Sequence, residues 1–159
     1  MEMFSSEKGF VLWEMLFFPL LFLSITALCL PAAWDVSQES VLRMSVTELQ
    51  SSIREAEIEA AHGSAEDVLP VPSYCYFTCF MDHGQIRYYT RRGTRQIRPK
   101  GRVSSSLMMQ PAFVEIGFQK NGRGIRENLR FQVLTKDGKH AYEIIVAAAT
   151  GRVRYEKIR

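Results

Sequence analysis

The chain has 159 residues, 47% of them apolar, and a formal net charge of +3 from 20 basic and 17 acidic side chains. That length holds one compact domain plus an anchor, and so small a net charge says little about partners. Three cysteines, an odd number, exclude a fully paired disulfide framework.

The distribution of charge is more informative than its total. Residues 10–33 carry one charge, Glu14, and the region after Trp34 carries almost all the rest. The apolar run from Phe10 to Ala33 exceeds the ~20 apolar residues that a helix needs to cross a bilayer. A carboxylate there costs up to a few kcal/mol near the bilayer centre, on the order of 3, so its presence is a functional hypothesis by default. A cleaved secretory signal wants a basic start and a small-residue exit. Leu30-Pro31-Ala32-Ala33 is a poor exit, and Glu14 falls inside the apolar part. A lipoprotein wants a small residue before its modified cysteine, but Leu28 precedes Cys29. Lys8 agrees with an amino terminus left in the cytoplasm, although Glu2 and Glu7 dilute the leader charge. Pro19 and Pro31 predict bends in the helix, not its end.

From Val36 to His62 the pattern turns amphipathic. Leu42, Val46, Leu49, Ile53, Ala56 and Ala60 alternate spacings of four and three, which makes one helical stripe. Arg43, Glu48, Arg54, Glu55 and Glu59 can face away from it, and Gly63 is a good stop. One long kinked helix from Phe10 to about Ala61 is the expectation. Residues 64–72 read as a loop because Pro70 and Pro72 block regular structure.

The period then changes to two. Strands are expected at Tyr74–Met81, Gln85–Arg91, Ala112–Gln119, Asn128–Thr135, His140–Ala148 and Arg152–Ile158. Turns are expected at Asp82-His83-Gly84, Asn121-Gly122, Asp137-Gly138 and Thr150-Gly151. Gly93, Pro99 and Gly101 interrupt the stretch between, where short strands are left open. The class is α+β: a long amino-terminal helix, its first half transmembrane, packed on a carboxy-terminal antiparallel β-sheet domain. The boundaries are 1–9 leader, 10–33 membrane or filament-core helix, 34–62 amphipathic continuation and 63–159 β domain.

Cys75 and Cys79 share a strand face but stand about 13 Å apart in extended chain. A disulfide needs Cα atoms within about 7 Å, so they pair only if the strand is broken or bulged. They read as small buried hydrophobes. His62, His83 and His140 are scattered and read as turn or strand residues, and no glycine loop opens a helix as phosphate cradles require. No catalytic set, metal site or cofactor is expected.

The frame Lys8-Gly9-Phe10-Val11-Leu12-Trp13-Glu14 resembles the processing site of type IV prepilins and pseudopilins. A long helix followed by a β domain is similar to their architecture. The tail Gly138-Lys139-His140-Ala141-Tyr142-Glu143-Ile144-Ile145-Val146, followed by Thr150-Gly151-Arg152-Val153, resembles the end of H/T-type minor pseudopilins. Within that group it is most similar to the D-type pseudopilin of the Gram-positive competence machinery, which takes up DNA. The resemblance implies cleavage between Gly9 and Phe10 by a prepilin peptidase and N-methylation of Phe10. It also implies that Glu14 neutralises the new amine of a neighbouring subunit. Val11 and Trp13 depart from the usual threonine and small aliphatic residue. Implied partners are other major and minor pseudopilins, the peptidase and, indirectly, a membrane platform protein, an assembly ATPase and DNA. The chain would sit in the cell membrane by a single span, with its β domain outside the cytoplasm, and reach the cell surface in the filament. The H-type pseudopilin of a type II secretion system and a membrane-anchored binding protein are the alternatives.

A second feature is basic. No acid occurs between Asp82 and Glu115, yet Arg87, Arg91, Arg92, Arg95, Arg98, Lys100 and Arg102 do, with Tyr88 and Tyr89 nearby. Arginine binds phosphate bidentately and tyrosine stacks on unpaired bases, so one reading is contact with DNA or anionic wall polymer. The other is a solvated loop or a surface that meets acidic neighbours. Strand alternation favours the second, because it scatters these side chains over two faces.

Overall fold

The computed structural model describes residues 5–62, 74–93, 95–97, 101–119, 128–147 and 149–159. It divides into two compact units, Met1–Gln38 and Glu39–Arg159. One helix, α1 (Ser5–Ala61), contributes to both. It begins earlier than the expected Phe10 and runs through Pro19 and Pro31 without terminating. Gly63, the loop at 64–72 and the Asn121-Gly122 turn lie outside the described residues.

In the first unit the apolar helix is long enough to cross a membrane, and none of its apolar window is buried. The few hydroxyls in it are internally satisfied. Ser24 Oγ donates to the Leu20 carbonyl and Thr26 Oγ1 to that of Phe22, each at 2.7 Å. Such bonds one turn back leave these two hydroxyls without need of water, as a lipid-facing surface requires.

In the second unit the rest of α1 packs on antiparallel sheets. Leu42, Val46, Leu49 and Ile53 are fully buried and Ala56 and Ala60 nearly so. The stripe read from sequence is therefore the helix's core face. At 1.5–3 kcal/mol for each large apolar side chain removed from water, this one stripe contributes on the order of 10 kcal/mol before entropy is charged against it. That is why residues 39–61 belong to the β unit, not to the apolar helix before them.

The strands are β1 (Cys75–Asp82), β2 (Gln85–Arg92), β3 (Arg95–Gln96), β4 (Gly101–Arg102), β5 (Leu107–Gln110), β6 (Phe113–Phe118), β7 (Leu129–Thr135), β8 (Ala141–Val146) and β9 (Val153–Lys157). The six expected strands are all present, with ends shifted by a residue or two. The expected single sheet is corrected to two. One has the order β3-β2-β1-β6 with β4 also on β2; the other is β5-β7-β8-β9. The interrupted stretch after Gly93 is responsible. It holds β3 and β4, which cover part of one edge, and β5, which carries the chain across to the second sheet before β6 returns to the first.

Tight turns set the register. His83 and Gly84 both have positive φ, 47° and 75°, as the two-residue turn between β1 and β2 demands. Between β7 and β8, Asp137 accepts from the Lys139 N–H at 3.2 Å and from the Thr135 hydroxyl, while Gly138 takes φ 70°. Both sheets turn alternate residues inward. Phe77, Ile86, Phe118, Phe131, Val133 and Ile144 meet the helix stripe in one core. Polar contacts then fix the helix on each sheet. Gln50 Nε2 donates to the Val153 carbonyl at 3.0 Å, Lys157 pairs with Glu39, and Arg92 Nη2 donates to the Glu59 carbonyl at 2.6 Å.

Cys75 and Cys79 are fully buried and free, on an unbroken β1. Burial pushes the Cys75 thiol up to about 11 and that of Cys79 to about 12. Alkylation at pH 8, which needs thiolate, is expected to spare both in the folded chain and to modify both after denaturation. Peptide mass mapping, which separates them from Cys29, checks this; rapid native labelling of either would contradict it.

Candidate functional site

Gly9, Phe10 and Glu14 all lie on α1. Glu14 is four positions after Phe10, so helical geometry sets the two backbone positions about 6 Å apart along the axis. The Glu14 side chain is exposed. Its surroundings are apolar and equally uncovered, with Trp13 at 69% and Phe18 at 62% exposure. Trp13 stacks on Phe17 at 5.3 Å between ring centroids, in the i, i+4 relation that lets side chains meet on a helix. No ion pair among the described residues involves Glu14. In water such a carboxylate is unremarkable. In hydrocarbon it requires a cation, because attraction between charges a few ångström apart rises severalfold as the dielectric falls, while an unpaired charge there is costly.

The basic segment does not form one surface. Arg87 and Arg91 point from β2 to the outer face of the first sheet, whereas Arg92, on the opposite face, reaches α1. Each is matched by an acid. Arg87 pairs with Asp82 at 2.8 Å, Arg91 with Glu115 at 2.8 Å and Arg92 with Glu59 at 3.4 Å. Arg91 also lies over the Tyr76 ring, 4.5 Å from its centroid. Arg95 and Arg102 are exposed, at strand positions opposite Arg92 and Arg87. Arg98 and Lys100 lie outside the described residues.

The two tyrosines part company as alternation demands. Tyr89 stays on the outer face, edge-on to Phe80 at 6.1 Å. Tyr88 turns inward, stacks on Phe77 at 5.8 Å and donates its hydroxyl to Glu48. Burial, and then the Glu48 carboxylate, push its phenol up to about 12. Gly101 is required beside it, because a Cβ there would come within 2.2 Å of the Tyr88 ring. Tyr88 is thus partly buried against the core, its ring engaged with Phe77 rather than offered to a base.

His62 and His83 are exposed. Among the described residues no three His, Cys, Asp or Glu side chains gather as metal ligands do. Sequence order hid one other cationic grouping. Arg54, Arg130, Arg152 and Arg154 come from three separate parts of the chain and border one cleft. Their spacing holds no signal, since only the pairing of β7, β8 and β9 and the packing of α1 against them bring the four together.

Comparison of the chain with protein-family models, with curated proteins and with solved structures gives no match.

Proposed function

We propose that the chain is a minor pseudopilin, made as a precursor, cut between Gly9 and Phe10, and assembled through its apolar helix into a short surface filament. The observation that carries this reading is Glu14: a lone carboxylate on an uncovered apolar helix, one turn beyond a glycine-phenylalanine junction. A new amine at Phe10 of an adjoining subunit supplies the cation that the carboxylate needs. Because only one axial offset pairs the two charges, the same contact sets the register between subunits.

Packing of residues 39–61 onto antiparallel sheets agrees with a pilin-like subunit whose helix continues into a folded head. The tail motif, which supplies β8 and the start of β9, favours the competence branch, in which the filament helps bring external DNA to the membrane. The internal pairing of Arg87, Arg91 and Arg92 favours a structural role over direct capture of DNA by that segment. The reaction performed on the chain belongs to the peptidase, and the chain itself is a subunit, not an enzyme.

Co-expression with a prepilin peptidase tests this. The intact mass should fall by that of Met1–Gly9, and Gly9→Val should block the loss because a side chain then obstructs the scissile bond. Persistence of the full-length precursor in the wild type would overturn the proposal.

A further inference from the structure

Arg54, Arg130, Arg152 and Arg154 border a cleft of about 660 Å3 within the second unit. Strand register aligns two of the four. Arg130 lies opposite Ile145, and Ile145 lies opposite Arg154, so two guanidinium groups flank one apolar side chain in a single row across β7, β8 and β9. The β8–β9 turn sets Arg152. Gly151, at φ 68°, donates its N–H to the Ala147 carbonyl at 2.8 Å, and the Ala147 N–H donates to the Arg152 carbonyl at 3.0 Å. Arg54 stands one helical turn after Gln50, the residue that binds the Val153 carbonyl. Thr150 adds a hydroxyl to the rim.

Four like charges around one cleft repel unless they are compensated. Two are compensated in part: Glu143 lies 3.7 Å from Arg130, and Glu156 lies 3.5 Å from Arg154. Arg54 and Arg152 enter no ion pair among the described residues. Glu57, three residues further along the helix, feels the Arg54 charge. Among the described residues, then, neither Arg54 nor Arg152 has an acid in ion-pair contact.

We propose that this cleft binds a dianionic phosphoryl group, the end group of a phosphate monoester. Two guanidinium groups without an ion-pair contact match two negative charges, whereas one carboxylate would neutralise half of them. The planar forks of arginine suit phosphate oxygens bidentately, and Thr150 supplies a further donor. The cleft exceeds a phosphate ion in size and falls in the range of small-ligand pockets. It therefore has room for a sugar-sized group against Ile145. This inference goes beyond the filament reading and does not depend on it.

The phosphoryl group has two sources, a free sugar phosphate or the phosphorylated end of a nucleic-acid strand. Calorimetric titration of the full chain in detergent separates them, with glucose 6-phosphate, a 5′-phosphorylated oligothymidylate and the same strand without its phosphate as probes. Binding of the sugar phosphate supports the free source. Binding of only the phosphorylated strand supports the strand end. In either case affinity should fall roughly tenfold or more in Arg54→Gln/Arg152→Gln, because each charge-assisted contact is about twice as strong as a neutral one. It should fall in part in Arg152→Lys, which keeps the charge and loses the fork, and hold in Arg95→Gln, which removes an exposed cation elsewhere. It should also weaken below about pH 6, as the dianion takes up a proton. Four results would overturn the proposal: no binding of either phosphorylated probe, equal binding of the unphosphorylated strand, equal loss in Arg95→Gln, or tighter binding of an oligoglutamate peptide. All four arginines are exposed, so the variants should keep the wild-type circular dichroism spectrum.

Discussion

Glu14→Gln is expected to leave the chain in the membrane, shortened at its amino end, and missing from assembled filaments. Glutamine keeps the size and helix preference of glutamate, so insertion should hold. Insertion should even become easier, because a neutral side chain avoids a charge cost of roughly 3 kcal/mol at the bilayer centre. In the proposed processing, cleavage depends on the Gly9–Phe10 junction and should proceed. What should change is the proposed subunit contact. Removing one member of a buried pair strands the other charge, at about 3–5 kcal/mol, or roughly two to four powers of ten in incorporation. Immunoblotting of sheared filaments and of membranes from the same cells checks this. Wild-type incorporation of the glutamine variant would remove Glu14 from the account of assembly, and failure of both cleavage and incorporation would point to misinsertion.

Phe77→Ala should be the most damaging single change in the β unit. Phe77 is fully buried on β1, stacks on Tyr88 and joins the cluster beneath the helix stripe. Truncation removes the ring's transfer energy and leaves a cavity that rigid strands on both sides cannot close, at about 3–5 kcal/mol. Against a typical total of about 5–15 kcal/mol this is a large share. Phe113→Ala is the comparison. Phe113 is also an aromatic strand residue of the first sheet but is 59% exposed, and its loss should cost within about 0.5 kcal/mol. Chemical unfolding followed by circular dichroism in detergent measures both. Tryptophan fluorescence does not, because Trp13 and Trp34 lie in the first unit. Similar midpoints for the two variants would mean that the core is not centred on β1.

The parts of the fold governed by local periodicity were legible in the sequence. The stripe from Leu42 to Ala60 repeats at the helical period, and burial follows it residue by residue. Six strands followed from alternation and turn residues. The division into two sheets was not legible. It depends on where β5 goes, and Leu107 to Gln110 is too short, beside too many glycines and prolines, to show a period. The basic segment was legible as composition but not as electrostatics. Its counterions are the two acids that bound it, Asp82 and Glu115, and Glu59 on the helix, brought near by strand pairing and helix packing. Alternation did foretell that Arg91 and Arg92 would part.

Two sheets in place of one also mean four rims where backbone donors and acceptors lack a neighbouring strand, and such rims invite pairing with a second molecule. Three are blunted. The two-residue β3 and β4 lie along β2, β5 is only four residues long, and β9 carries Arg154, Glu156 and Lys157. The fourth, β6, reads Phe113-Val114-Glu115-Ile116-Gly117-Phe118, and its one charge is already matched by Arg91. Among the described strands it is therefore the rim most open to templating, and purified material should clump first along it at high concentration. A lysine in place of Gly117 would be the first modification to try for better solubility.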